Sequence, residues 1–535
     1  MDSWDLIVIG GGPAGTTVAA IAARGGMRVL LLEADVHPRV HVGESLLPGI
    51  MPILDRMGAL AEVEAAGFVP KSGTTHWQWG ATPRWDLWFS DTDAYDHAYL
   101  VDRARFDAIL FAAAGRAGAV THMHAAARSI VWEGERCVGV RWRRRGEDHD
   151  TESRGFVIDA TGQAALLARQ LGLRETIAGL QHQASWAHYE AAGRLPPPRN
   201  HQALFVAERD HWLWLFPLSP TRASVGMVRL DPGDAGENDD TRTARFEAAV
   251  RGSELFSSVL GNAERVTPVR TQRDWSYRMR SVAGPGWMLV GDAAGFIDPV
   301  LSTGVFLAMH AGFHAAELLL ARHRGELHEP TVTRRYQQHH AELFGDLLRM
   351  VRFYYQQTLT RDDYFWESKK ILLREDTELR PQKAFLILTS GLVRNLAYEA
   401  VHDAAEQRRA AQLGAADIAE HDPDTLGFIC FQLAFTGDGE PAALYLLIEP
   451  RRPAEPTLFR TRNWHVNCLA PRYANDPIRE PALAGPLRGL ASRLRDLDDR
   501  EGEPLALFWR RHRSQLITAL TGLGPDFTLE RVFGE

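Results

Sequence analysis

The sequence predicts an α/β fold: a doubly wound N-terminal domain built on a parallel βαβ unit, an interleaved and mostly antiparallel sheet, and a helical and then α+β C-terminal region. Three observations carry that expectation. Residues 5–9 form an unbroken apolar run ending at glycine, as in a parallel strand buried on both faces. The helix-like stretch Ala14 to Arg24 follows, and Arg28 to Leu32 is a second short strand ending at Glu33, so strand, helix and strand fit within about thirty residues. Around 185–230, alternating segments such as Ala203-Leu204-Phe205-Val206 and Trp212-Leu213-Trp214-Leu215 read as antiparallel strands.

The remaining elements follow in order. A helix is expected over 103–117, with strands over 119–133, 136–143 and 155–159. Strand Trp287 to Val290 leads into a glycine-rich turn and a helix over about 302–322. After Pro330 the texture changes to a long amphipathic segment, 331–358, and another helix at 395–413. Phe428 to Phe435, the turn Gly437-Asp438-Gly439, and Ala442 to Ile448 signal a hairpin. Strand-like 457–468 and helices over about 484–498 and 503–521 close the chain. The expected domains are 1–330, with the interleaved sheet at about 72–100 and 180–275, then 331–421 and 422–535.

Composition narrows the class. The chain has 535 residues, 45% hydrophobic and 24% charged, the profile of a soluble globular protein with room for a bulky ligand. Its formal charge of −8 is mild and spread out, without the basic clustering of a polyanion binder, so no nucleic-acid partner is expected. Arg141-Trp142-Arg143-Arg144-Arg145 breaks that spread but falls at a hairpin tip, where a solvated surface explains it. Cys137, Cys430 and Cys468 share no metal-ligand or redox spacing, so no metal is expected and a reducing cytoplasm suits them. The N-terminus runs straight into the first strand with no signal peptide, and no apolar stretch reaches the roughly 18–20 residues of a membrane span.

Gly10-Gly11-Gly12-Pro13-Ala14-Gly15 fits G-x-G-x-x-G between a strand and a helix. In such a turn Gly10 makes the bend, Gly12 lets backbone approach a pyrophosphate, and Gly15 allows close helix–strand packing. The helix N-terminus offers free N–H groups to the phosphate. Glu33, eighteen residues beyond Gly15, is placed to accept from ribose hydroxyls. A second element, Gly291-Asp292-Ala293-Ala294-Gly295-Phe296-Ile297-Asp298-Pro299, again follows an apolar strand and precedes a helix. An Asp there, Asp292, can hold ribityl hydroxyls, which points to FAD rather than NAD on a Rossmann-like domain. Val157 to Gly162 is a third strand-then-turn piece, with Asp159 at its end, and Arg103 opens a helix where it can hold a phosphate or fix flavin contacts.

With the segment Val101-Asp102-Arg103-Ala104-Arg105-Phe106-Asp107, these motifs resemble the flavoprotein monooxygenase superfamily typified by aromatic hydroxylases. The resemblance implies FAD, oxygen and a flavin hydroperoxide, with protein groups deciding how the oxygen is used. Four further features resemble the flavin-dependent halogenases, over roughly residues 1–375. Gly43-Glu44-Ser45-Leu46-Leu47-Pro48-Gly49, after His37-Pro38-Arg39, is similar to the family's flavin-covering loop, which implies cofactor contacts from Arg39 and Ser45. Lys71 falls where that family keeps its essential lysine, although a Lys between Pro70 and Ser72 is by itself an ordinary solvated loop residue. Trp212-Leu213-Trp214-Leu215-Phe216-Pro217 is a near match to W-x-W-x-I-P, whose Trp212, Trp214 and Pro217 would wall off the flavin. Leu301-Ser302-Thr303-Gly304-Val305 resembles the turn whose Thr303 and Gly304 backbone would hold halide, with Val305 at the flavin.

That resemblance implies a halogenase using reduced FAD from a separate flavin reductase, oxygen, and chloride or bromide. Tryptophan halogenases carry Glu just before this turn; Leu301 stands there instead, so the expected substrate is an already activated ring, a phenol or pyrrole, free or tethered to an acyl- or peptidyl-carrier protein in natural-product biosynthesis. An FAD-dependent aromatic hydroxylase using NAD(P)H is the alternative, and a reductase acting on prenyl chains a distant third. A homodimer is compatible with the pattern, and residues 422–535 have no assigned role.

Overall fold

The computed structural model describes residues 4–92, 94–208, 210–230, 238–356, 358–372, 380–392, 426–435 and 441–450. Contacts divide the chain into two compact units, Met1–Tyr398 and Glu399–Glu535, so the helices between 329 and 389 belong to the first unit.

Strand β1 (Trp4–Ile9), helix α1 (Pro13–Arg24) and strand β2 (Val29–Leu32) form the N-terminal βαβ unit. Its apolar strands pair in parallel, Leu6 opposite Val29 through Ile9 opposite Leu32. On the other side β1 pairs in parallel with the strand Glu147–Asp159, which is followed by Trp287–Leu289; Val120–His122 lies beyond β2. Chain order therefore reverses direction across β1, and the crevice at its C-terminal end is where a doubly wound sheet receives ligands. The Arg-rich stretch is at the tip of the hairpin Arg136–Arg144/Glu147–Asp159, with Arg141 and Arg143 paired to Asp150 and Asp148.

The interleaved sheet has nine strands and is antiparallel except where Gln202–Ala207 runs parallel with Gly73–Trp77. Its long members are Arg174–Glu190, Ala223–Leu230, His211–Pro217 and Arg270–Met279. A separate pair comprises β3 (Val69–Lys71) and the strand Ala98–Leu100. Helix α2 (Arg103–Arg116) packs on α1 and is capped by Asp102, whose carboxylate accepts from Ala104 and Arg105 N–H.

Helix α3 (Thr303–His323) corrects one expectation from the sequence. By length and composition it is apolar enough to cross a membrane, with mean hydropathy 1.4 over its most apolar window, yet 72% of that window is buried in the fold. Most of its surface is apolar because most of it is covered by the fold. Gly312 brings it against α1, since a Cβ there would sit 2.6 Å from the Ala14 carbonyl oxygen. On α3 lies α4 (Glu329–Tyr354), whose buried Val332, Tyr336, Leu343, Leu347, Met350, Val351 and Tyr354 form one stripe.

In the second unit, Leu426–Phe435 and Pro441–Pro450 pair as the expected antiparallel hairpin. The expected helices at 395–413, 484–498 and 503–521 and the strand at 457–468 lie outside the described residues.

Candidate active site

A cavity of about 610 Å³ opens at the C-terminal end of β1. Gly10 adopts φ +107°, and a Cβ there would meet the Ala160 carbonyl oxygen at 2.2 Å. At Gly15 it would meet the Gly10 oxygen at 1.9 Å, whereas at Gly12 its nearest neighbour would be Arg39 Nη2 at 3.4 Å. Gly10 and Gly15 thus shape the turn, and Gly12 faces the cavity, which Gly15 does not line. Glu33 is buried at the wall, its carboxylate accepting from Gly11 N–H at 2.6 Å and Asp35 N–H at 2.8 Å. Arg39 lines the same region, with its Nε buried and without a hydrogen-bond partner. Asp292 lines the opposite side; burial pushes its carboxyl up to about 6, against the pull of Arg103.

Residues 42–46 run along the wall as a strap. Arg103 fixes it: Nη1 donates to Val42 O at 2.6 Å and Gly43 O at 3.3 Å, while Nε and Nη2 fork onto Asp107 at 2.9 and 3.1 Å. Further along, Val101 N–H donates to Glu44 O, Leu46 N–H donates to Tyr99 O, and Ser45 bridges to Leu100. The strand that receives them also pairs with β3, Lys71 opposite Ala98. Side chains alternate along β3, so Pro70 is exposed while Val69 and Lys71 point inward. Lys71 is 0% exposed. Its Nζ donates to Ser45 Oγ at 2.8 Å and Leu46 O at 3.1 Å, and lies 5.1 Å from the Phe89 ring centre. Burial brings its pKa down to about 7.

Lys71 does not line the cavity, but Ser45 and Ser302 do. Ser302 Oγ donates to Ser45 Oγ at 3.1 Å, so two hydroxyls join the buried amine to the start of α3. Ser302 adopts φ +56° and leaves the first turn of α3 without a side-chain cap. Gly304 and Val305 face the cavity, whereas Thr303 is buried away from its lining. Trp212, Trp214 and Phe216 alternate on one strand and form the facing wall; Pro217, at the strand's end, is outside it. Gly226 makes room for that wall, since a Cβ there would meet the Trp214 ring at 2.1 Å.

Asp298, which the sequence placed only within a motif, organises this end. Its Oδ1 accepts from Tyr355 Oη at 2.9 Å and Val300 N–H at 2.9 Å, and its Oδ2 pairs with His182 Nδ1 at 2.6 Å. Trp212 Nε1 donates to Tyr355 Oη at 3.1 Å. The carboxylate therefore ties the tryptophan wall to the turn before α3. Replacing it, Asp298→Ala, leaves buried donors unpaired, and urea unfolding is expected to show a loss of about 3 kcal/mol.

The cavity thus has a glycine turn and Asp292 in its lining with Trp212 and Trp214, and a buried lysine joined to it through Ser45. The family model described as tryptophan halogenase matches residues 5–95 and 83–385. The chain belongs to this family of flavin-dependent halogenases. Among curated relatives, a tryptophan 2-halogenase of Chondromyces crocatus is 34% identical over 404 residues, covering 73% of this chain and 76% of its own length. A 1H-pyrrole-2-carbonyl peptidyl-carrier-protein chlorinase of Pseudomonas fluorescens is 30% identical, covering 58% of this chain and 74% of its own. The solved myxobacterial chondrochloren halogenase CndH superposes with a TM-score of 0.65 at 34% identity, covering 73% of this chain and 90% of that one. The halogenase CmlS, at 22% identity, shares the fold with a TM-score of 0.61 over 98% of this chain.

As a flavin-dependent halogenase, the enzyme uses FAD, supplied reduced by a separate reductase, with a halide co-substrate. The cavity fits that cofactor. Its glycine turn admits a pyrophosphate, and the unpartnered Arg39 Nε and an unpartnered oxygen of Glu44 are buried polar atoms that a polar occupant can satisfy. Two groups escaped the reading of the sequence: the pair Glu44–His188, joined at 2.7 Å across 144 residues, and the Asp298–His182–Tyr355 network.

Proposed function

We propose that this halogenase acts on an activated ring, a phenol or pyrrole, free or tethered to a carrier protein, and that Lys71 carries the halogen to it. Gly10, Gly12, Glu33 and Arg39 at one end of the cavity and Asp292, Ser45 and Val305 at the other would hold FAD, with the Ser302–Val305 turn on the isoalloxazine side. Reduced FAD and oxygen supply the oxidant that converts halide into hypohalous acid. The uncapped N–H groups that open α3, at Thr303 and Gly304, suit the halide anion. Trp212 and Trp214 separate the flavin from the ring, so oxygen is not passed to it directly.

The observation that carries this reading is the Lys71–Ser45–Ser302 chain, which connects a desolvated amine to the cavity through the Ser45 hydroxyl and on to the start of α3 through that of Ser302. A neutral amine can take up halogen on nitrogen or hydrogen-bond hypohalous acid, and an amine with its pKa near 7 is largely neutral at pH 8. Beyond the tryptophan wall an aromatic cluster gathers beside the lysine: His76 stacks on Trp85 at 4.0 Å, with Trp79 and Tyr354 near it. Burial and then the Lys71 charge hold His76 down to about 3, so it packs as a neutral, apolar-like ring beside the lysine.

Halogen transfer through the neutral amine predicts a rate that rises with pH through about 7 and levels off above it. Stopped-flow transfer to a phenol, measured from pH 6 to 9, checks this; a flat profile contradicts nucleophilic use of the amine. Leu301, buried and apolar where a carboxylate would assist a less reactive ring, supports the activated substrate. The relative named as a tryptophan 2-halogenase favours an indole as a second reading. A panel of phenols, pyrroles free and carrier-loaded, and tryptophan separates them: turnover of phenol or pyrrole with tryptophan inert supports the first, and preferred turnover of tryptophan overturns it.

A further inference from the structure

One polar atom in the cavity wall is satisfied by no protein group and used by neither the phosphate turn nor the halide turn. Glu44 is 3% exposed and lines the cavity between Gly43 and Ser45, sharing that wall with Ser302, Gly304 and Val305. Its Oε1 is paired with His188 Nε2 at 2.7 Å. Its Oε2 is buried with no hydrogen-bond partner, the only carboxylate oxygen in that condition among the described residues. An unsatisfied buried acceptor costs on the order of 1–3 kcal/mol, and more for a charged one, so a donor that reached this oxygen from the cavity would be held there.

His188, on the strand Arg174–Glu190, gives the pair its charge balance. Burial pulls its imidazole down, but the hydrogen bond and charge of Glu44 outweigh that and leave its pKa raised. The strap holds Glu44 firmly in place, because its carbonyl accepts from Val101 N–H at 2.8 Å and the neighbouring Gly43 carbonyl is held by Arg103.

The isoalloxazine ring changes its hydrogen bonding with its redox state at one position near the site of oxygen chemistry. Oxidised N5 presents a lone pair; two-electron reduction places a hydrogen on it and makes it a donor. The N3–H group is a donor in both states. A carboxylate oxygen repels the first form of N5 and accepts from the second. Halide must be oxidised close to that reactive edge, and Glu44 shares its wall with the halide turn.

We infer that Glu44 reads the redox state of the cofactor, its free oxygen accepting the N5–H that only reduced FAD carries, so that the enzyme holds reduced FAD more tightly than oxidised FAD. The inference rests on the placement of the isoalloxazine proposed above. It gives a halogenase that depends on a separate reductase a means of capturing the reduced cofactor in the presence of the oxidised one.

The test is the midpoint potential of FAD bound to the full-length protein, measured anaerobically by dye equilibration, together with fluorescence titration of oxidised FAD. In the wild type the bound couple is expected above free FAD, a result that needs no variant. Glu44→Gln keeps an amide oxygen for His188 and turns an NH2 toward N5, which favours the oxidised form. The ratio of dissociation constants, oxidised over reduced, is expected to fall at least tenfold, which for a two-electron couple lowers the bound potential by about 30 mV. Equal weakening of both redox forms overturns the inference, because it assigns Glu44 to N3–H or to the fold alone. Unchanged constants also overturn it, because a water molecule then satisfies the oxygen. Failure of the isoalloxazine placement itself is a separate result: it appears as loss of halide dependence in product trapping, which this potential does not report.

Discussion

Lys71→Ala is expected to abolish halogen transfer to substrate, by on the order of a thousandfold or more in kcat, with FAD binding preserved. The separation follows from placement: Lys71 lies behind the cavity wall, one hydroxyl removed, and contacts no residue of the phosphate turn. Lys71→Met is the more informative partner because it fills the space without an amine. A loss of activity in both variants assigns the effect to nitrogen rather than to a cavity. The same substitution changes the pH dependence of stability in a calculable direction. The amine has its pKa lowered from 10.5 to about 7 on folding, so between those values the unfolded chain binds more protons than the folded one. Wild-type stability therefore rises with pH across that window, and the contribution is lost below it. Urea unfolding at pH 7 and pH 9 is expected to show a gain of up to about 2 kcal/mol in the wild type that Lys71→Met lacks. Equal pH slopes in the two proteins would contradict the desolvated amine.

The second large effect concerns the glycine turn, whose positions differ in kind. Gly15→Val drives a side chain into the Gly10 carbonyl, 1.9 Å from the Cβ position, so both fold and FAD binding are lost, at about 3 kcal/mol or more. Gly12→Val meets only the Arg39 guanidinium at 3.4 Å and otherwise projects into the cavity. Its thermal unfolding without cofactor is expected to match the wild type, while its FAD affinity drops about a hundredfold, or about 2.7 kcal/mol. If Gly12→Val bound FAD normally, the cavity would not be the pyrophosphate site.

The contrast between those two glycines shows where the sequence was informative. Strand, turn and helix at 4–24 are readable because local period and glycine chemistry agree there, and Asp292 follows by the same logic at the second turn. Lys71 was the reverse case. Its strand is three residues long and contains Pro70, too short for any period, and its burial comes from the Ala98–Leu100 strand and the strap, which are distant in sequence. The identity of the lysine was readable only through resemblance, and its desolvation only through the fold. Pairs such as Glu44–His188 and Asp298–His182 join residues more than a hundred positions apart, and a single sequence carries no record of such contacts. Helix α3 escaped as a membrane-length segment for a related reason: its apolar surface is explained by what packs on it, which composition does not show.

The most direct test of the account is to mix the chemically reduced holoenzyme with oxygen, with and without bromide, and to trap hypohalous acid on an activated ring. Product that appears only with bromide, at the expense of hydrogen peroxide, is the predicted result and places halide oxidation at the flavin. Hydrogen peroxide alone under every halide condition would contradict the Thr303–Gly304 halide turn and the transfer route from it to Lys71.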